Sequence, residues 1–210
     1  MKQTLLVELP DINQTLFEEQ LYAEGVSSIA GVDEVGRGCL AGPVVAASVI
    51  LPRVCKIQGI NDSKKLSAKE RERLFELILN DAVAFGIGVV DSLEIDKINI
   101  LQATMKAMRL AVDSMGVKPS YLLIDGKQAL KDVSVPQKII VKGDIRSISV
   151  GAASIVAKVT RDRMMGEMEK RFPQFKFSVH KGYGTALHLK ELGQNGPTAI
   201  HRKTFAGVKT

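Results

Sequence analysis

Hydrophobic positions along this chain follow two different periods. Residues 27–33 and 44–51 are short, near-continuously apolar runs, the pattern of strands covered on both faces, and residues 82–90 form a third. A Gly-rich turn joins the first two. The period then becomes helical. Ser67-Ala68-Lys69-Glu70 has the form of a capping box and predicts a helix to about residue 80. Ile98, Leu101, Met105, Met108, Val112 and Met115 recur at spacings of three and four, predicting a longer helix that Gly116 and Pro119 end. This Met-rich stripe reads as ordinary core, not as a cofactor surface. Residues 121–125 and 138–142 predict two more short strands, followed by a helix over about 151–171 and a short one near 187–192.

Three strands in succession, then strands alternating with helices, predict an α/β protein whose mixed central sheet is flanked by helices. A chain of 210 residues is sized for one domain, with a lead-in over about 1–25 and a basic, helical C-terminal extension over about 172–210. No apolar run reaches the ~20 residues of a membrane span, and the N-terminus lacks a basic start followed by an apolar block. Cys39 and Cys55 have no CxxC spacing, so neither a disulfide framework nor a zinc site is indicated. These features predict a cytoplasmic protein with no membrane partner. Charge adds something further. The net charge is +6, but residues 138–210 hold 14 Lys and Arg against 5 Asp and Glu, while the rest holds 15 against 18. Acids concentrate early and bases late, as expected of an acidic core beside a polyanion-binding surface.

The candidate chemistry lies where the apolar runs stop. Asp33, Glu34, Asp125 and Asp144 each terminate such a run, and strand ends are where open α/β sheets build their sites. Any one of them alone could be a turn-former, as in Asp125-Gly126. Four acids at one edge need cations, and an oxygen-only set without Cys or His suits Mg²⁺ or Mn²⁺. Two such ions can clamp a phosphodiester, activating water and stabilising the leaving oxygen. Gly36-Arg37-Gly38, just beyond, places backbone without β-carbons beside a guanidinium, a feature suited to an anion or a polar sugar. Successive strand residues point to opposite faces, so Asp33 and Glu34 are expected to share a site only if the strand breaks at Glu34.

Gly31-Val32-Asp33-Glu34-Val35-Gly36-Arg37-Gly38 and Ala41-Gly42-Pro43-Val44-Val45-Ala46-Ala47 resemble the opening motif of bacterial ribonuclease HII. Asn61-Asp62-Ser63-Lys64-Lys65-Leu66, Leu123-Ile124-Asp125-Gly126 and Lys142-Gly143-Asp144 continue the resemblance in the family's order. So do residues 149–162, His180-Lys181-Gly182-Tyr183-Gly184-Thr185, and Gly196-Pro197-Thr198 through His201-Arg202. The resemblance covers about 21–209. It implies a ribonuclease H-like fold, with metal-dependent cleavage of the RNA strand of RNA–DNA hybrids that leaves 3′-hydroxyl and 5′-phosphate ends. It assigns the four carboxylates to catalysis and metal binding. Gly36, Arg37 and Gly38 would read a ribose 2′-hydroxyl at an RNA-to-DNA junction, and Tyr183 would stack on the neighbouring deoxyribose. The 2′-hydroxyl is the group that separates the two sugars. Cys39 departs from the family, where proline is more usual, which affects the rigidity of the turn rather than its chemistry.

Other residues read less sharply. Lys64 and Lys65 alone would be surface lysines; in the Asp-Ser-Lys-Lys-Leu context Lys64 is expected to contact a phosphate. Ser147, Ser154, Lys158 and Arg161 lie near Asp144 and could touch a nucleic-acid backbone, with packing or capping an equal reading for Ser154. Tyr183, between Gly182 and Gly184 in a basic segment, reads as an exposed platform. His180, His188 and His201 show no ligand spacing and read as structural or phosphate-proximal. Three rival functions are weaker. Gly86-Ile87-Gly88-Val89-Val90-Asp91 lacks the third glycine of a dinucleotide fingerprint and lies inside a predicted strand. A non-catalytic nucleic-acid-binding protein has no reason to face a polyanion with four acids. A ribonuclease HIII would be expected to carry an additional N-terminal domain. The partners implied are RNA–DNA hybrids and duplex DNA with embedded ribonucleotides, acted on by a monomer.

The balance of +9 over residues 138–210 makes salt a direct test. Binding of uncleaved hybrid, with Ca²⁺ in place of Mg²⁺, is expected to weaken steeply between low and physiological salt. Flat affinity would show that the basic C-terminal third is not the binding surface.

Overall fold

The apolar runs become the middle of a five-stranded sheet. The computed structural model describes residues 13–61, 63 and 66–208. β1 (Ile29–Val35), β2 (Val44–Ile50), β3 (Ala84–Val90), β4 (Tyr121–Asp125) and β5 (Gln137–Ile140) lie in the order β3-β2-β1-β4-β5. β2 runs antiparallel to β1 and β3, whereas β4 runs parallel to β1 and β5. The sheet is therefore mixed, as expected.

Alternation along the strands assigns the two faces. Val44, Ala46 and Ile50 of β2, with Ala30 and Val32 of β1, pack in the core beneath α3 (Ser92–Asp113). Ala47 and Val49 face the opposite way, against α2 (Ala68–Asp81) and α4 (Ile148–Arg171). The C-terminal half of the Met stripe is core, with Met108, Val112 and Met115 buried, whereas Ile98, Leu101 and Met105 line surface hollows. That helix is not continuous: Asn99 adopts φ 66°, and its side chain caps the second half by accepting from the Leu101 and Gln102 amides. Gly86 and Gly88 answer the dinucleotide rival. A Cβ on either would overlap a carbonyl oxygen of α3, Ala111 or Ala107, so these glycines serve close helix–strand packing.

Boundaries shift for local reasons. Ser67 caps α2 by accepting from the Glu70 amide, but the Glu70 carboxylate pairs with Arg73 instead of completing the capping box. α4 begins earlier than expected because Ser147 caps it by accepting from Val150. The lead-in contains α1 (Leu16–Ala23), whose buried Glu18 accepts from the Ser147 hydroxyl and the Ser149 amide. A carboxylate at a helix N-terminus is favourably placed. Ser147 is thus a buried cap, not a nucleic-acid contact.

The C-terminal extension carries α5 (Phe177–His180) and α6 (Ala186–Asn195). It docks on α4 through Phe175 and Phe177, packed with Met165 and Ala41. Two guanidiniums complete the attachment. Arg161 of α4 donates to the carbonyls of Pro43, Ala41 and Lys181, and Arg202 donates to those of Gly36, Arg37 and Gly42. Both side chains are fully buried. This corrects the reading of Arg161 as a nucleic-acid contact, since its donors are spent inside the protein.

Arg202→Met is expected to cost about 3 kcal/mol or more, because it strands the Arg37 and Gly42 carbonyls and leaves that of Gly36 with the Cys39 amide alone. Arg202→Lys should recover little, since one ammonium cannot reproduce a planar fork. Urea midpoints at unchanged m-value are the measurement. A loss below about 1 kcal/mol would show that the loop holds itself.

Candidate active site

β1 and β4 run side by side only as far as the Val32–Ile124 pair, whereas the pairing of β1 with β2 continues through Val35. The last residues of β1 therefore border a notch where β4 stops at Asp125. Asp33, Glu34 and Asp125 each place a carboxylate oxygen there, all within 4.8 Å of one another. The expectation of a strand break at Glu34 is overturned. Asp33 and Glu34 leave opposite faces of an unbroken strand and meet around its open edge, and the chain turns only at Gly36, where φ is +95°. The Asp33 carboxylate bends towards the strand end, where Oδ1 accepts from the Glu34 amide at 2.7 Å.

Asp144 lies beside this group but outside it. It is buried on the 3-10 turn Gly143–Ile145. The same turn is tied to the site through the Gly143 amide, which donates to Asp125 Oδ1 at 2.6 Å. Three of the four predicted acids are thus brought together, with the fourth on the adjoining turn.

The electrostatics of the group are unfavourable as it stands. Burial pushes the Asp33 carboxyl well above the usual carboxylate range; Glu34 and Asp125 push it further, against hydrogen bonds from Ser154 and the Glu34 amide. Burial also raises Glu34, and Asp125 adds to this, while Arg37 opposes it. Arg37 pairs with Glu34 Oε1 at 3.2 Å from an otherwise half-exposed side chain. Glu34 Oε2 is buried without a hydrogen-bond partner. A buried carboxylate oxygen left unbonded, among like charges and oxygen-only donors, is the arrangement that a hard divalent cation satisfies.

Around this centre the other predicted residues separate into groups. Gly36 is glycine for an internal reason: besides its positive φ, a Cβ there would overlap the Arg161 guanidinium. A Cβ on Gly38 would meet nothing within 4 Å, so that position alone keeps the open approach expected of a ligand-reading turn. Tyr183 forms a β-bridge with Cys39, directly after the turn. The residue is 36% exposed, as expected of a ring open to solvent. Burial pushes its hydroxyl up to about 12, and the neighbouring Cys39 adds to the rise. Lys158 pairs with Asp162 and lies 5.9 Å from the Tyr183 ring centre. The three histidines are buried and structural rather than phosphate-proximal. Lys64 falls outside the described residues.

Sequence reasoning left Ser154 open and missed Ser63. Ser154 bonds to Asp33 and, at 3.0 Å, to Ser63, linking the residue 61–66 motif to the carboxylates. The burial of Arg161 did have a signal: it falls on the stripe Val150, Ser154, Ala157, Arg161, Met165, all buried at helical spacing. A cleft of about 420 Å³ opens at the site, lined by Glu34, Arg37, Asp125, Met105, Lys127 and Lys142. A larger hollow of about 860 Å³ adjoins it, lined by Ile98, Leu101, Leu130 and Ile139 with Lys127 and Lys131. The chemistry belongs to the smaller one, which contains the carboxylates.

Comparison with known proteins follows the same lines. The family model described as Ribonuclease HII matches residues 30–208. The chain is 54% identical over 209 residues to the ribonuclease HII of Geobacter metallireducens, covering 100% of this chain and 98% of that protein. Among solved structures, the ribonuclease H2 of Pyrococcus horikoshii is similar at a TM-score of 0.71 and 26% identity, covering 87% of this chain and 95% of that one. Bst-RNase HIII, solved in complex with Mn²⁺, shares the fold at a TM-score of 0.72 and 21% identity, over 94% of this chain and 72% of that one. The ribonuclease H-like fold is therefore as expected, and a cluster of carboxylates at the sheet edge and full-length similarity agree: this chain belongs to the ribonuclease HII family of hydrolases, endonucleases of the ribonuclease H type that act on nucleic acid.

Proposed function

We propose that this protein is a divalent-metal-dependent endoribonuclease that cleaves the RNA strand of RNA–DNA hybrids and incises 5′ of a single ribonucleotide embedded in duplex DNA, leaving 3′-hydroxyl and 5′-phosphate ends. The observation that carries the reading is the meeting of Asp33, Glu34 and Asp125 with a buried, unbonded Glu34 oxygen beside the Gly36–Gly38 turn. Asp33, Glu34 and Asp125, with Asp144 adjoining, would hold Mg²⁺ or Mn²⁺ as a two-ion site that supplies activation of water and stabilisation of the leaving oxygen. The protein's own contribution is to hold like charges together and to shape what lies next to them. Asp33 is fixed by Ser154 and the Glu34 amide, and Asp125 by the Gly143 amide. Arg37, exchanging its Glu34 partner for substrate, is positioned to contact the sugar-phosphate at the junction.

Specificity rests on two neighbours. The Gly36–Gly38 turn is too short to grip several sugars, and Tyr183 offers one ring for the next. A reader made of one 2′-hydroxyl contact and one deoxyribose stack needs a single ribonucleotide followed by DNA. That supports the first incision of ribonucleotide excision repair. Lys64 keeps its proposed phosphate contact, supported by the bond of its neighbour Ser63 to Ser154. Lys127 and Lys131, where the hollow continues from the cleft, suit the flanking backbone. Two unpaired cysteines support a cytoplasmic setting, where a monomer would suffice because one chain supplies every residue named.

Asp125→Asn is expected to keep the fold and lower turnover by ~100-fold or more under either Mg²⁺ or Mn²⁺. Thermal melting supplies the second measurement. Without metal at neutral pH the variant should melt at or above wild type, and added Mn²⁺ should raise the melting point of wild type alone. The sign follows from Asp33 and Glu34. Their folded-state values are raised, so at neutral pH their charge costs the folded state stability, and that cost disappears as pH falls through the raised range. The advantage of the variant should shrink accordingly. Near-normal cleavage by folded Asp125→Asn protein would remove the assignment.

Tyr183→Ala tests the reader. Stacking worth ~1 kcal/mol or more corresponds to about five-fold or more in cleavage at a single embedded ribonucleotide relative to cleavage inside a continuous RNA tract. The ratio of efficiencies on the two substrates is the readout, and an unchanged ratio would show that Tyr183 does not read the junction.

A further inference from the structure

The three histidines of the C-terminal extension carry protons in an order that the backbone dictates. His201 Nδ1 accepts from the Thr198 amide at 2.9 Å and the Thr198 hydroxyl at 2.8 Å, which puts the His201 proton on Nε2. That N–H faces His188 Nε2 at 3.0 Å. His188 Nε2 must therefore accept, so its proton sits on Nδ1, 2.9 Å from the Tyr183 carbonyl oxygen. A directed chain of hydrogen bonds runs from Thr198 through His201 and His188 to the main chain of Tyr183. Alongside it, His180 stacks on His188 with ring centres 4.1 Å apart. Its Nδ1 accepts from the Gly182 amide at 3.1 Å, and its Nε2 donates to Glu191 at 3.0 Å. The Gly182–Tyr183 main chain is thus anchored by imidazoles on consecutive residues, alongside backbone bonds: the Tyr183 amide donates to the His180 carbonyl at 2.9 Å, the Tyr183 carbonyl also accepts from the Thr185 amide at 2.8 Å, and the Gly182 carbonyl accepts from Leu40 and Ala41.

We propose that the His201–His188 relay is the positioning device for Tyr183: it fixes the main chain that carries the ring and so sets the angle at which the ring meets the sugar beyond the ribonucleotide. This rests on the reading of Tyr183 as the junction platform. The Tyr183 main chain is also bridged to Cys39, itself beside the Gly36–Gly38 turn. Held from both sides, the main chain keeps the ring in register against the turn. Leucine side chains would fill the same volume among Phe175 and Phe177 at less desolvation cost; they would leave the Tyr183 carbonyl with its local Thr185 amide donor alone and without the tie through His201 to Thr198.

The relay works only with both imidazoles neutral. If His188 is protonated, two N–H groups oppose each other across the His188–His201 contact; if His201 is, its Nδ1–H opposes the Thr198 amide. The charged or titratable groups facing the cluster are Glu191 of α6, Glu169 of α4 and His180 itself; the surrounding rings Phe175 and Phe177 supply no counter-charge. Burial holds His180 and His188 below the usual histidine value and His201 down to about 4, so the chain stays intact at neutral pH. Because the folded values are lowered, this stability is present above the ordinary value near 6.5 and is lost as pH falls towards 4.

The test compares His188→Leu with His188→Asn, whose amide keeps a donor near Nδ1. On the ratio of cleavage at a single embedded ribonucleotide to cleavage inside a continuous RNA tract, His188→Leu is expected to fall about five-fold, the worth of one hydrogen bond, and His188→Asn to recover most of the loss. Nitrogen-detected NMR of wild-type imidazoles at pH 7 needs no variant: His188 is expected as the Nδ1–H tautomer, with His180 and His201 as Nε2–H. A His188 Nε2–H tautomer or imidazolium would overturn the relay even if the leucine variant failed to fold. An unchanged ratio in folded His188→Leu, while Tyr183→Ala lowers it, would overturn the positioning role. If Tyr183→Ala leaves the ratio unchanged, the platform reading fails instead.

Discussion

Two buried guanidiniums make the loop between β1 and β2 possible. A loop has no ladder partner for its carbonyls, and each one buried without a donor costs free energy comparable to a lost hydrogen bond. Arg161 and Arg202 bond the carbonyls of Gly36, Arg37, Ala41, Gly42 and Pro43 from inside, each fully buried. Neither meets a carboxylate directly, so carbonyl dipoles carry the solvation that water would otherwise supply. Burial lowers Arg202 to about 10, still well above neutral pH. The two positive charges therefore remain, directly beneath the turn proposed to meet a polyanion. They also tie α4 and the C-terminal extension to one loop, which places Tyr183 next to Cys39.

The carboxylates present the opposite problem a few residues earlier. β4 is short, and its end leaves the edge of β1 uncovered where Asp33 and Glu34 stand. Alternation should have sent these two side chains to separate layers, and it does so at the level of the backbone. The notch lets them meet in front of the strand end, with Asp125 closing the group. Repulsion and desolvation then raise Asp33 and Glu34, and an unbonded Glu34 oxygen remains. The rest of the fold holds this local cost in place, as expected where a site is preorganised for a ligand that brings the missing charge.

The main elements were legible because their signals are local. The apolar runs gave the strands to within a few residues, and the three-and-four spacing of the Met stripe marked the C-terminal half of α3 as core. The acids at strand ends announced the candidate site. α1, the Gly143–Ile145 turn and α5 were not legible, since each is short and depends on partners far along the chain. The break at Asn99 was hidden because the apolar spacing runs through it unchanged.

Residue type and spacing by themselves determined which side chains could do chemistry, and they set the family's motifs in order along the chain. They did not determine direction. Arg161 and Ser147 look like nucleic-acid contacts in a linear reading, yet one ends loop carbonyls and the other caps a helix. Ser154, by contrast, reaches Asp33. The three histidines have no ligand spacing, yet two of them form one relay because α6 and the segment after it fold back on α5. Which way a polar side chain faces depends on what lies across from it, often more than a hundred residues away, and only the tertiary structure supplies that partner.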